Sequence, residues 1–448
     1  MSKIDLAERI HDHNYRLDPY VRSLLDTDFY KLLMAFFIWK KYPDVGVSFK
    51  VKNRSVKKFR FSEHITETEL RAQLDYVKGL SFTNSELIWL QGNTFYGTTG
   101  IFPGDFINAL RNLRLPNYTI TRDENDEFSI TFSGTWFEVT MWEIYALSIL
   151  NEAKSRAGMR GMSRYQLRVL YANATAKLVS KLKELKEAGV PRISEFGTRR
   201  RHGFLWQEFV IEAMREELGD NFIGTSNALH AMRMGIEAIG TNAHELPMVV
   251  SALARIRHPE DKHGLFMSQY DVLSEWQKIY KGNLLVALPD TFGTTQFLNN
   301  AQKNFPEIRD WRGFRLDSKD PFIGGEEIIR FWESIGVNPK EKLMLFSDGL
   351  SHEKMIALHE KFGGRCVDGY GWGTLATNDF KGCDPRGGDE LDPVSVVCKV
   401  HTVMDGGKGV SAVKLSDNYE KATGEENAIR AYREVFGTEG VADVPVEV

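Results

Sequence analysis

The sequence predicts an α/β protein, an irregular, closed or nearly closed α/β barrel that follows an N-terminal α+β domain. Two observations carry this expectation. From about Arg192 onward, seven short β-like runs succeed one another, each ending in a polar or Gly-rich turn that usually leads into a helical pattern; such a series implies parallel strands with helical crossovers. Before Trp142 the pattern is mixed instead, with one apolar helix and several alternating strands. The length of 448 residues fits two to three domains, at roughly 100–200 residues each. We draw the first domain as 1–141, completed by about 400–448, and the barrel as 142–399. An open doubly wound sheet is the alternative architecture.

In the first domain, Asp26 is placed to cap a helix that runs through Tyr30, Leu33, Phe36 and Phe37, because a short acceptor side chain satisfies the free amides of a first turn. Val45, Val47, Phe49 and Val51 alternate with small or polar residues, which is strand spacing. Tyr118 and Ile120 face Phe128, Ile130 and Phe132 across the turn R-D-E-N-D-E, a hairpin. The barrel runs are R-I-S-E-F-G, N-F-I-G-T-S, I-E-A-I-G-T, N-L-L-V-A-L-P-D-T, R-G-F-R-L-D-S, L-M-L-F-S-D-G and R-C-V-D-G-Y-G-W-G-T. A helix from Phe204 to Leu218 turns Leu205, Phe209, Ala213 and Met214 to one side, with Gly219 as its stop. The long interval from His244 to Leu285 must hold two helices or an insertion.

Composition narrows the function. With 57 basic and 61 acidic residues the net charge is −4, which argues against a protein that neutralises many phosphates of DNA. The longest apolar stretch, Leu32 to Trp39, has eight residues, whereas a membrane span needs about 20. The first ten residues are charged and lack an apolar signal core. Three cysteines without a C-x-x-C pair suit a reducing compartment and neither a disulfide frame nor a zinc site. The expectation is a cytoplasmic enzyme.

Chemistry concentrates in the turns at the strand ends. They read Glu195-Phe196-Gly197-Thr198-Arg199-Arg200-Arg201-His202, then Thr225-Ser226-Asn227, then Thr241-Asn242-Ala243-His244-Glu245. Asp290-Thr291, Arg315-Leu316-Asp317-Ser318, Ser347-Asp348-Gly349 and Gly371-Trp372-Gly373-Thr374 complete the set. In parallel α/β folds such turns share one end, where ligands bind. Gly-containing turns present unobstructed amides to phosphate, and guanidinium forks after a strand grip phosphate oxygens. Asp290 and Asp317 can orient sugar hydroxyls or magnesium, or cap helices. The set suits a phosphorylated sugar with several anionic groups. His244, beside Glu245, is the leading base or nucleophile; His230, within a helix, and His202, at a helix entry, are weaker. No histidine pair has the i, i+4 spacing of a zinc site.

Taken in order, E-F-G-T-R-R-R-H, F-I-G-T-S-N, G-T-N-A-H-E-L-P, L-P-D-T-F-G-T, F-R-L-D-S, S-D-G-L and G-Y-G-W-G-T closely resemble the nicotinate phosphoribosyltransferase family. The early L-L-D-T-D-F-Y-K-L and the late V-K-L-S-D and K-A-T-G extend the resemblance over roughly residues 20 to 430. It implies a type II phosphoribosyltransferase fold. It also implies an ATP-coupled reaction of nicotinate with 5-phosphoribosyl 1-pyrophosphate that releases pyrophosphate, with Mg2+ as cofactor and ATP as co-substrate. By the same resemblance His244 is the transiently phosphorylated histidine, with Glu245 beside it. Tyr30, Arg315 and Asp290 attend nicotinate. Thr198, Arg199, Arg200, Ser226, Asn227, Asp317, Ser347, Gly349, Gly371, Gly373 and Thr374 hold the sugar diphosphate, with Mg2+ contact at Asp317. A homodimer is consistent with the family.

One departure stands out. Where many members read D-S-G-D, this chain has Asp317-Ser318-Lys319-Asp320, which sets a lysine either beside the sugar-phosphate pocket or outward at a helix entry. A nicotinamide- or quinolinate-specific transferase is the nearest rival. A quinolinate enzyme would need a larger basic cluster and no phosphorylatable histidine. A silent nucleotide-binding barrel is more remote, since His244 and the arginine turn are both present.

Overall fold

The computed structural model describes residues 18–443; the charged first ten residues and the outer ends of the first-domain assignment lie outside the described residues. The principal elements are α1 (Phe29–Lys41), β1 (Gly46–Asn53), β2 (Tyr118–Arg122), β3 (Phe128–Thr135), α2 (Trp142–Met159) and α3 (Arg164–Glu187). The barrel region comprises β4 (Ile193–Glu195), α4 (Phe204–Leu218), β5 (Phe222–Thr225), α5 (Ala228–Met234), α6 (Glu245–Arg257), α7 (Lys262–Ile279) and β6 (Val286–Ala287). It continues through α8 (Thr294–Asn304), β7 (Gly313–Leu316), α9 (Pro321–Ser334), β8 (Leu343–Phe346), α10 (His352–Phe362) and β9 (Val367–Trp372). The described chain ends with β10 (Val396–Asp405), β11 (Lys408–Ser411) and α11 (Glu426–Phe436).

Six parallel strands form the barrel wall in the order β5-β4-β9-β8-β7-β6. Strands consecutive in sequence pair with one another except β5 and β6, which stand at the two edges of the order, and β9 returns to β4. The expected third run, I-E-A-I-G-T, is not a strand but a single parallel bridge, Thr225 to Ala238. Glu237 O and Ile239 N still bond to Thr225, but Gly240 is satisfied from elsewhere: the Tyr96 phenol accepts from Gly240 N at 2.6 Å and donates to Gly240 O at 3.0 Å. At Gly240 (φ +154°) a Cβ would lie 2.8 Å from Tyr30 N, so this run is pressed against the first domain. The remaining gap is spanned by Asn242, whose Nδ2 donates to Val286 O at 3.0 Å. The interval from His244 to Leu285 holds α6 and α7.

The first domain's sheet is antiparallel, in the order β11-β10-β1-β3-β2. The hairpin register pairs Tyr118 with Phe132 and Ile120 with Ile130, as the alternation predicts. β10 lies along β1 with Lys50 opposite Lys399, so residues near 400 reach the centre of this sheet. Helix α1 is buried from Phe29 to Ile38 and packs its phenylalanines against Phe95, Phe102 and Phe106. The apolar stretch Leu32–Trp39 is thus core, an arrangement that removes large aromatic areas from water. Among the described residues no helix is long and apolar enough to cross a membrane.

Candidate active site

The turns after β4, β7, β8 and β9 meet the first domain around a cleft of about 1160 Å³, counted to its open mouth. Arg54, Arg199, Arg200, Arg315, Lys399, Lys414 and Lys421 line it against only three acids, Glu143, Asp317 and Asp348. That excess suits a ligand with several negative charges. Ser347, Gly349, Gly371, Gly373 and Thr374 form the barrel-side wall. Asp348 (φ +69°) and Gly349 (φ +57°) are both left-handed, and successive amides in such a turn make an anion-binding concavity. Lys421 pairs with Asp348 across this turn.

Beneath the arginine turn lies Glu195, fully buried at the end of β4. Its carboxylate accepts from Gly197 N, from Thr225 Oγ1 and from Gln207 Nε2; burial nevertheless raises its pKa to about 7. Arg199 Nη1 donates to Tyr30 OH at 2.8 Å and lies 3.7 Å from Asp28 Oδ2. Burial, and then Arg199 beside it, lower Arg200 to about 10, with Asp348 and Glu143 opposing the shift. Arg201 turns the other way. It is fully buried and holds Asp26 through two bonds of 2.7 and 2.9 Å. Asp26 is therefore not the cap of α1, whose N-cap position falls to Asp28. Thr198 and Asn227 are also scaffold: Thr198 Oγ1 accepts from Gln207, and Asn227 caps α5. Ser226 donates to Asp28 Oδ1 at 2.6 Å.

A second cavity shares Phe196, Arg199 and Arg315 with the cleft and continues down the barrel past Ser226, Ser194, Leu345 and Gly369. Tyr30 stands at its wall. Phe196 can pack where it does only because residue 371 is glycine, since a Cβ there would lie 2.3 Å from the ring. Arg315 Nε donates to Ser347 Oγ at 2.9 Å and Nη2 to Asp317 Oδ1 at 2.8 Å. Three of the five guanidinium N–H groups thus remain for a ligand beside two aromatic rings.

His244 Nδ1 lies 3.0 Å from Thr291 Oγ1. Around Nε2 stand Lys414 Nζ at 2.8 Å, Asp317 Oδ2 at 3.1 Å and Asp290 Oδ2 at 3.6 Å. Burial lowers the pKa of this imidazole; the two carboxylates oppose that and Lys414 reinforces it, with the balance on the lowered side. That direction favours the neutral ring, and where Lys414 Nζ donates to Nε2 that nitrogen carries the lone pair. Asp317 is held well below the usual carboxylate range, as Arg315, His244 and Lys414 outweigh its burial. Asp290 does not line this second cavity: its Oδ2 accepts from Ser318 and Lys414, which places it in the histidine cluster. Glu245, expected beside the chemistry, is instead held by Trp136 Nε1 at 2.6 Å, Thr140 Oγ1 at 2.7 Å and Lys31 Nζ at 2.5 Å. It anchors the histidine turn to the first domain.

Lys319, which replaces the glycine of D-S-G-D, points away from the cleft. It donates to Thr295 Oγ1 at 2.7 Å and Glu327 Oε2 at 2.5 Å, while Asp320 caps α9. The weaker histidines are core residues: His202 stacks on Phe380, and burial lowers His230 to about 3. Sequence reasoning assigned no role to Arg54, Glu143, Lys399, Lys414 or Lys421. The strings V-K-L-S-D and K-A-T-G contain two of these lysines, whereas Arg54 opens the turn after β1, and Glu143 and Lys399 sit in ordinary helix and strand context.

A barrel mouth with Gly-containing turns, paired arginines and an aromatic pocket ending in a guanidinium fits the class of α/β-barrel phosphoribosyltransferases. Family comparison agrees. Residues 191–440 match the nicotinate phosphoribosyltransferase (NAPRTase) family, and residues 25–151 match its N-terminal domain. The chain is similar to nicotinate phosphoribosyltransferase of Porphyromonas gingivalis, with TM-score 0.80 and 28% identity over 93% of this chain and 100% of that one. It is likewise similar to the Vibrio cholerae enzyme, with TM-score 0.79 and 26% identity over 94% of each chain. This chain belongs to the nicotinate phosphoribosyltransferase family.

Proposed function

We propose that this protein joins nicotinate to 5-phosphoribosyl 1-pyrophosphate, giving nicotinate mononucleotide and pyrophosphate, and that ATP drives the reaction through a phosphate carried by His244. The observation that supports it is the convergence of Arg315, Arg199 and the His244 cluster on one connected cleft. Nicotinate lies against Tyr30 and Phe196, with its carboxylate on the free fork of Arg315. Ser347–Gly349 and Gly373–Thr374 hold the 5-phosphate, and Arg199, Arg200 and Lys399 the diphosphate. The pyridine nitrogen forms its bond to the anomeric carbon as the C–O bond to diphosphate breaks. Positive charge builds on the ribose and negative charge on the leaving group, so cations fixed at the latter stabilise the transition state most.

In the coupled step the lone pair on Nε2 attacks the γ-phosphorus of ATP, the P–O bond to the β-phosphate breaks, and ADP leaves. Lys414, 2.8 Å from Nε2, is placed to offset the negative charge of the phosphoryl group that arrives on the ring. Water later cleaves the N–P bond and restores the imidazole with release of phosphate. Asp290 Oδ1, a buried oxygen without a hydrogen-bond partner among the described residues, and Asp317 are hard donors that fit Mg2+. Bound there, Mg2+ would neutralise phosphate charge.

The test follows mononucleotide and phosphate together, with and without ATP, for nicotinate, nicotinamide and quinolinate side by side. Product from nicotinate alone, with more product when ATP is present, is expected. His244→Asn should retain no label from γ-labelled ATP. Turnover confined to nicotinamide or quinolinate, or label retained in the variant, overturns the reading.

A further inference from the structure

We infer that Lys31 is a positioning residue, an ammonium shared between the anion cleft and the histidine turn that ties filling of the cleft to the placement of His244. The inference rests on the phosphohistidine chemistry proposed for this site. Lys31 is fully buried. Its Nζ lies 2.6 Å from Glu143 Oε2 and 2.5 Å from Glu245 Oε2. Its neighbour on α1 is Tyr30, at the pyridine pocket. Glu143 lines the cleft together with Arg199 and Lys399, and Glu245 directly follows His244 as the first residue of α6.

One ammonium between two buried carboxylates leaves a negative charge that the surroundings must balance. On the cleft side Arg199 and Lys399 help to do so. On the histidine side the partners of Glu245 among the described residues are, besides Lys31, the neutral donors Trp136 and Thr140. When a diphosphate fills the cleft, Arg199 and Lys399 turn their charge toward it, and Glu143 draws harder on Lys31. Glu245 then loses part of its counter-ion, and the His244–Glu245 turn it anchors resettles. By linkage the effect is reciprocal: a change at His244 alters affinity in the cleft by the same factor. A triad that merely glued α1, α2 and α6 together would carry no such dependence.

The double variant Lys31→Met/Glu245→Gln removes the shared ammonium and one carboxylate together, so no new unpaired charge appears at Glu245. In the wild-type protein ATP should lower the KM for the sugar diphosphate by roughly 5–150-fold, the usual span of such coupling. In the double variant this ratio should fall toward one, while kcat without ATP stays within about 2-fold. A structural role would instead lower activity equally under both conditions. Trp136 supplies an independent readout in the wild-type protein, because its indole N–H meets Glu245 directly. Its ¹⁵N-indole resonance, assigned with Trp136→Phe, should shift when inorganic pyrophosphate saturates the cleft. An unmoved resonance at saturation, or a wild-type KM ratio in the folded double variant, overturns the inference. Should the wild-type protein make no nicotinate mononucleotide, the function proposal falls, and the Trp136 resonance still decides whether cleft and histidine turn are coupled.

Discussion

Arg315→Lys isolates the step in which the base is chosen. The substitution keeps a positive charge for Asp317 but exchanges a planar fork for a single point donor. In the structure two of five N–H groups are committed, to Ser347 and Asp317. The remaining three can meet both oxygens of a carboxylate in parallel. A lysine that keeps the Ser347 and Asp317 contacts has one of its three donors left for nicotinate, so at least one charge-assisted hydrogen bond is lost. Such a bond is worth about 1.5–3 kcal/mol, which corresponds to roughly 10–150-fold in kcat/KM for nicotinate. Steady-state kinetics measure it, with labelled phosphoenzyme formation from ATP as the control, which should change little because Asp317 retains a cation. A nicotinate kcat/KM within about 3-fold of wild type would refute the placement of the carboxylate on this arginine.

Three further outcomes are expected from the geometry. Lys414→Met should slow phosphoenzyme formation about 10²–10³-fold, the usual cost of losing one charge-stabilising donor. With that cation gone His244 protonates more readily, so the acid limb of the rate profile should move to higher pH; an unmoved limb would contradict the contact. Gly371→Ala sets a Cβ against Phe196, and the displaced ring should cost about 1–3 kcal/mol in urea unfolding and raise the KM for nicotinate; unchanged values of both would show that Phe196 has room. Glu195 has a folded pKa raised to about 7 from an ordinary 4.5. The folded state therefore binds the extra proton in that window, and the stability it contributes is present below about 4.5 and lost as pH rises through about 7. Glu195→Gln should flatten that part of the Tm-versus-pH curve, and an unchanged slope would count against it.

The barrel was legible in the sequence because each strand announces itself twice, by its apolar run and by the chemistry of its turn. The histidine turn and the arginine turn were legible for the same reason. What failed was local reading of residues whose role is set by the partner domain. Asp26 reads as a helix cap, yet it serves Arg201, 175 positions away. The I-E-A-I-G-T run has strand character, yet the Tyr96 phenol takes the Gly240 peptide groups a neighbouring strand would have used. Glu245 looks catalytic beside His244, but Trp136, Thr140 and Lys31 claim its carboxylate. Lys399 alternates among valines like any strand residue, and only the pairing of β10 with β1 brings it to the cleft.

The most direct measurement is a crystal structure of the protein soaked with nicotinate mononucleotide and pyrophosphate. The account predicts the carboxylate on Arg315, the ring between Tyr30 and Phe196, the 5-phosphate at Gly349 and Thr374, and pyrophosphate against Arg199 and Arg200. A mononucleotide bound in the reverse sense, with its phosphate at Arg315, or anywhere beyond this barrel mouth, would contradict it.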